Sequence, residues 1–167
     1  MVIINIINND LLNATEKYIC HQCNCTTKTS YGLSKSISKK YIWADIYKIR
    51  SKNNNTQQLD KPGTVIEIEH PVNPEKYHKV LCFMAQISPG KPNTSKKLHL
   101  NSYYDSYENR KVWFKKCLDE LDNNNNYDTI AIPYGIGCGL AGGIWEEYEK
   151  MLQECKTHIV LYKFSKT

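Results

Sequence analysis

Five of the chain's eight glycines, Gly135, Gly137, Gly139, Gly142 and Gly143, fall within nine residues of the stretch Ile130-Ala-Ile-Pro-Tyr-Gly-Ile-Gly-Cys-Gly-Leu-Ala-Gly-Gly-Ile-Trp145. Such a stretch can bind an anion. Glycines let backbone N–H groups approach a phosphate, and a helix start behind them adds a favourable dipole. The flanks agree. Thr129 to Ile132 is a short, mostly β-branched run suited to a buried strand, and Pro133 ends its ladder for want of an N–H. From Trp145 to Cys155, the residues Tyr148, Met151, Leu152 and Cys155 recur at helical spacing. The pattern fits neither G-x-G-x-x-G with a following acid nor G-x-x-x-x-G-K-[ST], so Rossmann and P-loop readings are weak. The alternative is a tight strand-to-helix crossover with no ligand, which the density of glycines disfavours.

The second dense patch is His21-Gln-Cys-Asn-Cys25. A zinc knuckle needs C-x₂₋₄-C and a partner pair, and neither is present, so no metal is expected. A nucleophilic cysteine needs a fixed base, and nothing beyond His21 supports one. Cys20, Cys23 and Cys25 read instead as small buried hydrophobes. Asn24 differs, because a buried amide at a strand end needs partners. It either caps the following loop or holds a ligand hydroxyl.

The elements that must position these residues follow in order. Val2–Ile7 and Lys17–Asn24 read as strands, the first of them buried. Gly32 opens a helix whose period runs through Leu33, Ile37, Lys40, Tyr41 and Ala44. Residues 47–61 are polar and read as a solvated loop. Thr64–Glu69 alternates as a strand, Lys79–Ile87 is another, and residues 88–104 read as a long loop. Residues 106–121 form a helix that Ser106 can cap, and Thr157–Phe164 is a last strand. This alternation predicts an α/β fold in a single domain spanning residues 1–167. In such sheets ligands bind beyond the strand C-termini, where residues 24–33 and 134–143 fall.

The net charge of +5 comes from scattered lysines with acids between them, so no nucleic-acid footprint is expected. No apolar run reaches the ~18 residues of a membrane span. Seven cysteines without a secretory leader point to a reducing compartment, cytoplasmic or nuclear.

His21-Gln-Cys-Asn24, Gly32-Leu-Ser-Lys-Ser-Ile37 and Pro133-Tyr-Gly-Ile-Gly-Cys-Gly-Leu-Ala-Gly-Gly-Ile-Trp145 together resemble the macro domain. The look is nearest the branch of the terminal ADP-ribose protein glycohydrolase and the ADP-ribose-1″-phosphate phosphatase. The resemblance implies a three-layer α/β/α fold with a mixed sheet of about six strands. It implies ADP-ribose, or an ADP-ribosylated substrate, as partner, with no cofactor, and a monomer. By the same resemblance Asp10 would take the adenine amino group beside Leu11, and Asn24 would face the distal ribose as the catalytic candidate. Gly32 and Leu33 would form the first phosphate loop. Tyr134, Gly135, Ile136, Gly137, Cys138, Gly139 and Leu140 would form the second, and Tyr162 and Phe164 would lie against adenine. A bulky residue at Gly137 would then occupy the phosphate position.

Two departures matter. Tyr31 stands where the family keeps glycine and is expected to project over the distal ribose. The lysine and aspartate of the glycohydrolase fall near Ala85 or Gln86 and at Ala141, so that mechanism does not transfer. The expected outcomes are hydrolysis of an ADP-ribosyl bond or of ADP-ribose-1″-phosphate, or binding or sequestration of ADP-ribose or an NAD-derived signal without turnover. Lys91, Lys96 and Lys97 are expected to border the cleft or simply to solvate their loop.

Overall fold

The computed structural model describes residues 4–52, 60–97 and 104–165. Six strands form the central sheet: β1 (Asn5–Ile7), β2 (Tyr18–Asn24), β3 (Val65–Ile68), β4 (Lys79–Gln86), β7 (Thr129–Pro133) and β8 (His158–Tyr162). Between β4 and β7 in the chain lie β5 (Asn93–Lys97) and β6 (Tyr104–Asp105), a separate two-stranded ribbon. The sheet order is β1-β8-β7-β2-β4-β3. All neighbours pair parallel except β3, which runs antiparallel to β4. Four helices flank it: α1 (Gly32–Lys40), α2 (Ile46–Lys52), α3 (Tyr107–Asp122) and α4 (Trp145–Gln153).

The apolar runs of the inner strands are continuous because both faces are covered. Leu81, Phe83 and Ala85 of β4 pack with Phe114 and Leu118 of α3 and Tyr148 and Leu152 of α4. Val80, Cys82 and Met84 of the same strand pack with Ile37 of α1 and Ile46 and Tyr47 of α2. Alternation along one strand thus feeds two cores. This is the expected mixed α/β sheet between helical layers.

Several local expectations change. β1 is an edge strand and exposed, with Ile6 at 52%, because among the described residues only β8 pairs with it; Val2 and Ile3 lie outside the described residues. The first helix stops at Tyr41, and a 3₁₀ turn, Ile42–Ala44, follows. The expected loop 47–61 begins instead with α2, started by Asp45, whose Oδ1 accepts the Tyr47 and Lys48 N–H groups. Its residues 53–59 lie outside the described residues. The expected loop 88–104 contains the β5–β6 ribbon, with Asn93 opposite Asp105; its residues 98–103 and the Lys96 and Lys97 side chains lie outside the description. Ser106 caps α3 as read, its Oγ accepting the Asn109 N–H at 3.0 Å. Among the described residues no helix is long and apolar enough to cross a membrane.

Candidate functional site

Strands β7, β2 and β4 end side by side, and the loops leaving them wall a cavity of about 510 Å³. That volume suits a nucleotide-sized ligand. Of the residues expected from sequence, Asn24, Tyr31, Gly32, Leu33, Tyr134, Gly135, Ile136, Gly137, Gly139 and Leu140 line it. No Asp, Glu, Lys or Arg does so among the described residues.

The loop after β7 is held by its own short bonds. Ile136 N–H reaches Pro133 O at 3.1 Å, Cys138 N–H reaches Gly135 O at 2.9 Å, and Gly142 N–H reaches Gly139 O at 3.0 Å. These leave the N–H groups of Gly137, Gly139, Leu140 and Ala141 without an acceptor among the described residues. On the facing side α1 starts at Gly32, whose φ of +54° favours glycine, and its N-cap, Tyr31, makes no side-chain bond to the first turn. The first-turn N–H groups of α1 are therefore open, at the positive end of the helix dipole. The two sides come close: a Cβ on Gly32 would touch Leu140 Cδ1 at 3.5 Å. Tyr31 is 66% exposed at this rim.

Asn24 sits at the end of β2, buried. Its Oδ1 accepts Thr26 N–H at 3.1 Å, Thr27 N–H at 2.9 Å and the Thr27 hydroxyl at 3.0 Å. The carboxamide is thereby fixed in orientation, and Nδ2 keeps no partner among the described residues. Asn24 caps the loop and presents a free donor to the cavity at once. Gln22, which sequence reading passed over, also lines the cavity. Its Nε2 donates to Gln86 Oε1 at 2.8 Å, while its buried Oε1 has no partner among the described residues. A polar residue in mid-strand with a polar neighbour at a strand end was the only signal available for this pair.

Gly137 is constrained from below rather than from the ligand side. A Cβ there would lie 2.7 Å from Gln22 Oε1 and 2.7 Å from Tyr148 Cε1, at a φ of +74°. A substitution would break the loop's packing before it reached a ligand, so the expected phosphate-blocking explanation is replaced. Gly139 offers the cleaner probe, since an added Cβ meets nothing within 4 Å and its φ is ordinary.

No family model matches the sequence, and no curated protein matches it either. Solved structures do match. A protein of unknown function from Bacteroides thetaiotaomicron superposes with a TM-score of 0.66 at 21% identity, covering 98% of this chain and 99% of that one. The macrodomain of Thermus aquaticus DarG gives 0.61 at 17% identity, over 98% and 99% of the two chains. An Oceanobacillus iheyensis macrodomain with ADP gives 0.61 at 16% identity, over 96% and 83%.

The chain has the macrodomain fold.

Within this macrodomain fold the remaining expected residues lie outside the cavity lining. Asp10 caps the 3₁₀ turn Leu11–Asn13, its Oδ1 accepting Leu12 N–H at 2.9 Å, and Leu11 is core. The Tyr162 hydroxyl donates to Glu16 at 2.8 Å. Phe164, just past β8, is 61% exposed. Cys138 is half-buried, and burial first, then Glu146 and Glu147, push its thiol up to about 11. It stays protonated at neutral pH and is a poor nucleophile. Lys91 is exposed and lays its stem against Gly142 rather than lining the cavity.

Proposed function

We propose that this chain binds ADP-ribose or a close derivative in the cavity. The observation that carries this is the set of backbone N–H groups left without an acceptor among the described residues, at the start of α1 and at Gly137, Gly139, Leu140 and Ala141, around one space that no described carboxylate lines. Those groups suit a diphosphate, held by dipoles rather than by lysine or arginine. Asn24 Nδ2 then meets a hydroxyl of the distal ribose, and Tyr31 covers that sugar from the rim. Asp10 and Phe164, outside the cavity, are assigned to the adenine end. The ADP in the Oceanobacillus structure supports this choice of ligand class.

A second reading, turnover, has one observation in its favour: Asn24 is rigidly held with its donor free. On that reading it orients the ribose for attack by water on an ADP-ribosyl bond or on ADP-ribose-1″-phosphate. Binding is preferred because, among the described residues, no carboxylate or lysine lines the cavity to serve as base or nucleophile. Calorimetry with ADP-ribose, AMP and ATP tests the first reading, with ADP-ribose expected to bind tightest. No heat from ADP-ribose at millimolar concentration sinks it. Product release from ADP-ribosylated protein or ADP-ribose-1″-phosphate, lost in Asn24→Ala, would establish turnover.

A further inference from the structure

Beneath the cavity lies a group of side chains that ligand binding leaves unused. His21 and Cys23 lie on β2 and Cys82 on β4, and all three belong to the face that packs against α1 and α2. His21 and Cys82 are register partners across the parallel pair, and Cys23 is two residues further along β2. Their donor atoms lie within 4.8 Å of one another. Exposure is 2% for His21, 1% for Cys23 and 0% for Cys82.

We propose that His21 Nε2, Cys23 Sγ and Cys82 Sγ form a binding site for zinc or a similar thiophilic divalent ion. The inference is independent of what the cavity binds. Three observations support it. Nε2 is 3.5 Å from Cys82 Sγ and 3.5 Å from Cys23 Sγ, which lies equally 3.5 Å from Nδ1, so Cys23 must turn about χ1 to close on an ion at Nε2. Metal bonds of about 2.3 Å to sulfur and about 2.0–2.1 Å to nitrogen, at a tetrahedral angle, require N···S separations of about 3.5–3.6 Å. The other ring nitrogen is 2.9 Å from Ser34 Oγ, so a hydrogen bond there fixes the ring and leaves the Nε2 lone pair for an ion. The charges also balance: an ion of charge +2 displaces one proton from each thiol, and the two thiolates neutralise it inside the core. Two sulfurs and an imidazole are the donor set that borderline-soft ions select over magnesium or calcium. His21 itself lines the cavity, which supplies the route of entry and leaves the fourth coordination position to a non-protein ligand.

The test is cobalt titration of the full chain under reducing conditions, with zinc back-titration. The expected result is one equivalent of Co²⁺ giving a thiolate-to-cobalt band and tetrahedral visible bands, both removed by zinc. Cys82→Ser and Cys23→Ser should each lower affinity at least tenfold. Cys155→Ser, whose thiol instead donates to Asp122, should leave it unchanged. The wild-type spectrum decides alone should a variant fail to fold. Absence of a stoichiometric thiolate band, or a band that survives both substitutions, overturns the proposal.

Discussion

The two walls of the cavity are held by the same device in different surroundings. On the Asn24 side Arg50 of α2 donates to Asp60, at 2.8 and 2.5 Å, and to the carbonyls of Thr27, at 2.5 Å, and Asn24, at 2.8 Å. On the other side Arg110 of α3 grips Asp105 with two bonds of 2.7 and 2.6 Å. It also donates to the carbonyls of Gly90, Ala141, Ser88 and Lys91. In both walls a guanidinium takes the loop carbonyls on its own side. The loop is then stitched from behind through its carbonyls, and its remaining N–H groups are not drawn into that bonding. The difference is water. Asp105 is fully buried, whereas the Asp60 side chain is 25% exposed. One wall is sealed into the core, and the other has a wet counterion.

That contrast predicts unequal costs. Arg110→Ala leaves Asp105 charged and dry, and should cost about 3–5 kcal/mol in urea unfolding. Adding Asp105→Ala should recover part of that loss. Arg50→Ala leaves Asp60 within reach of water, and should cost about 1–3 kcal/mol, mostly from lost bonds to Thr27 and Asn24 carbonyls. Equal losses from the two arginines would break the comparison. Tyr31→Ala then asks what the wetter wall presents at its rim. ADP-ribose should weaken by about 1–2 kcal/mol while AMP is unaffected, by calorimetry. Equal loss for both ligands would place Tyr31 away from the distal ribose.

The smallest effect separates stabilising a loop from positioning a site. Asp122 holds the turn after α4, with Oδ1 accepting the Lys156 and Thr157 N–H groups at 2.9 Å each and the Thr157 hydroxyl at 3.0 Å. Burial works to raise its pKa, but bonds from the Cys155 thiol, these N–H groups and the hydroxyl outweigh it, and the net shift is downward. A depressed carboxylate contributes stability above its unfolded pKa and loses it as pH falls through the folded value. Asp122→Asn should therefore cost about 1 kcal/mol at neutral pH, after solvent screening, and nothing in strong acid. ADP-ribose affinity should not change. Urea melts at neutral and acid pH, with one ligand titration, check all three parts.

The six strands of the central sheet and the glycine loop after β7 were legible because local composition sets them, whereas the β5–β6 ribbon was not. Thr129–Ile132, Pro133 and the glycines give strand, stop and loop without help from elsewhere. The Ser106 cap was legible for the same reason. α2 was not, since its stretch is polar on average and it is fixed by Asp45 and the burial of Ile46, Tyr47 and Arg50. Nor could β1 be placed at the sheet edge, because exposure there depends on which strands pair. The anchors Arg50 and Arg110 read as ordinary surface charges in one dimension. Their roles come from carbonyls between 19 and 31 residues away. Likewise Cys82 joins His21 and Cys23 only through the pairing of β2 with β4.

We propose that backbone N–H groups at the start of α1 and in the loop after β7 bind the diphosphate of ADP-ribose. The most direct measurement is the amide ¹H–¹⁵N spectrum of the labelled chain during an ADP-ribose titration. The expected result is that the amides of Gly32, Leu33, Gly137, Gly139, Leu140 and Ala141 shift together with a single dissociation constant, and that Gly139→Val abolishes those shifts while leaving the rest of the spectrum folded. Binding that moves none of these amides, or that persists unchanged in Gly139→Val, would contradict it.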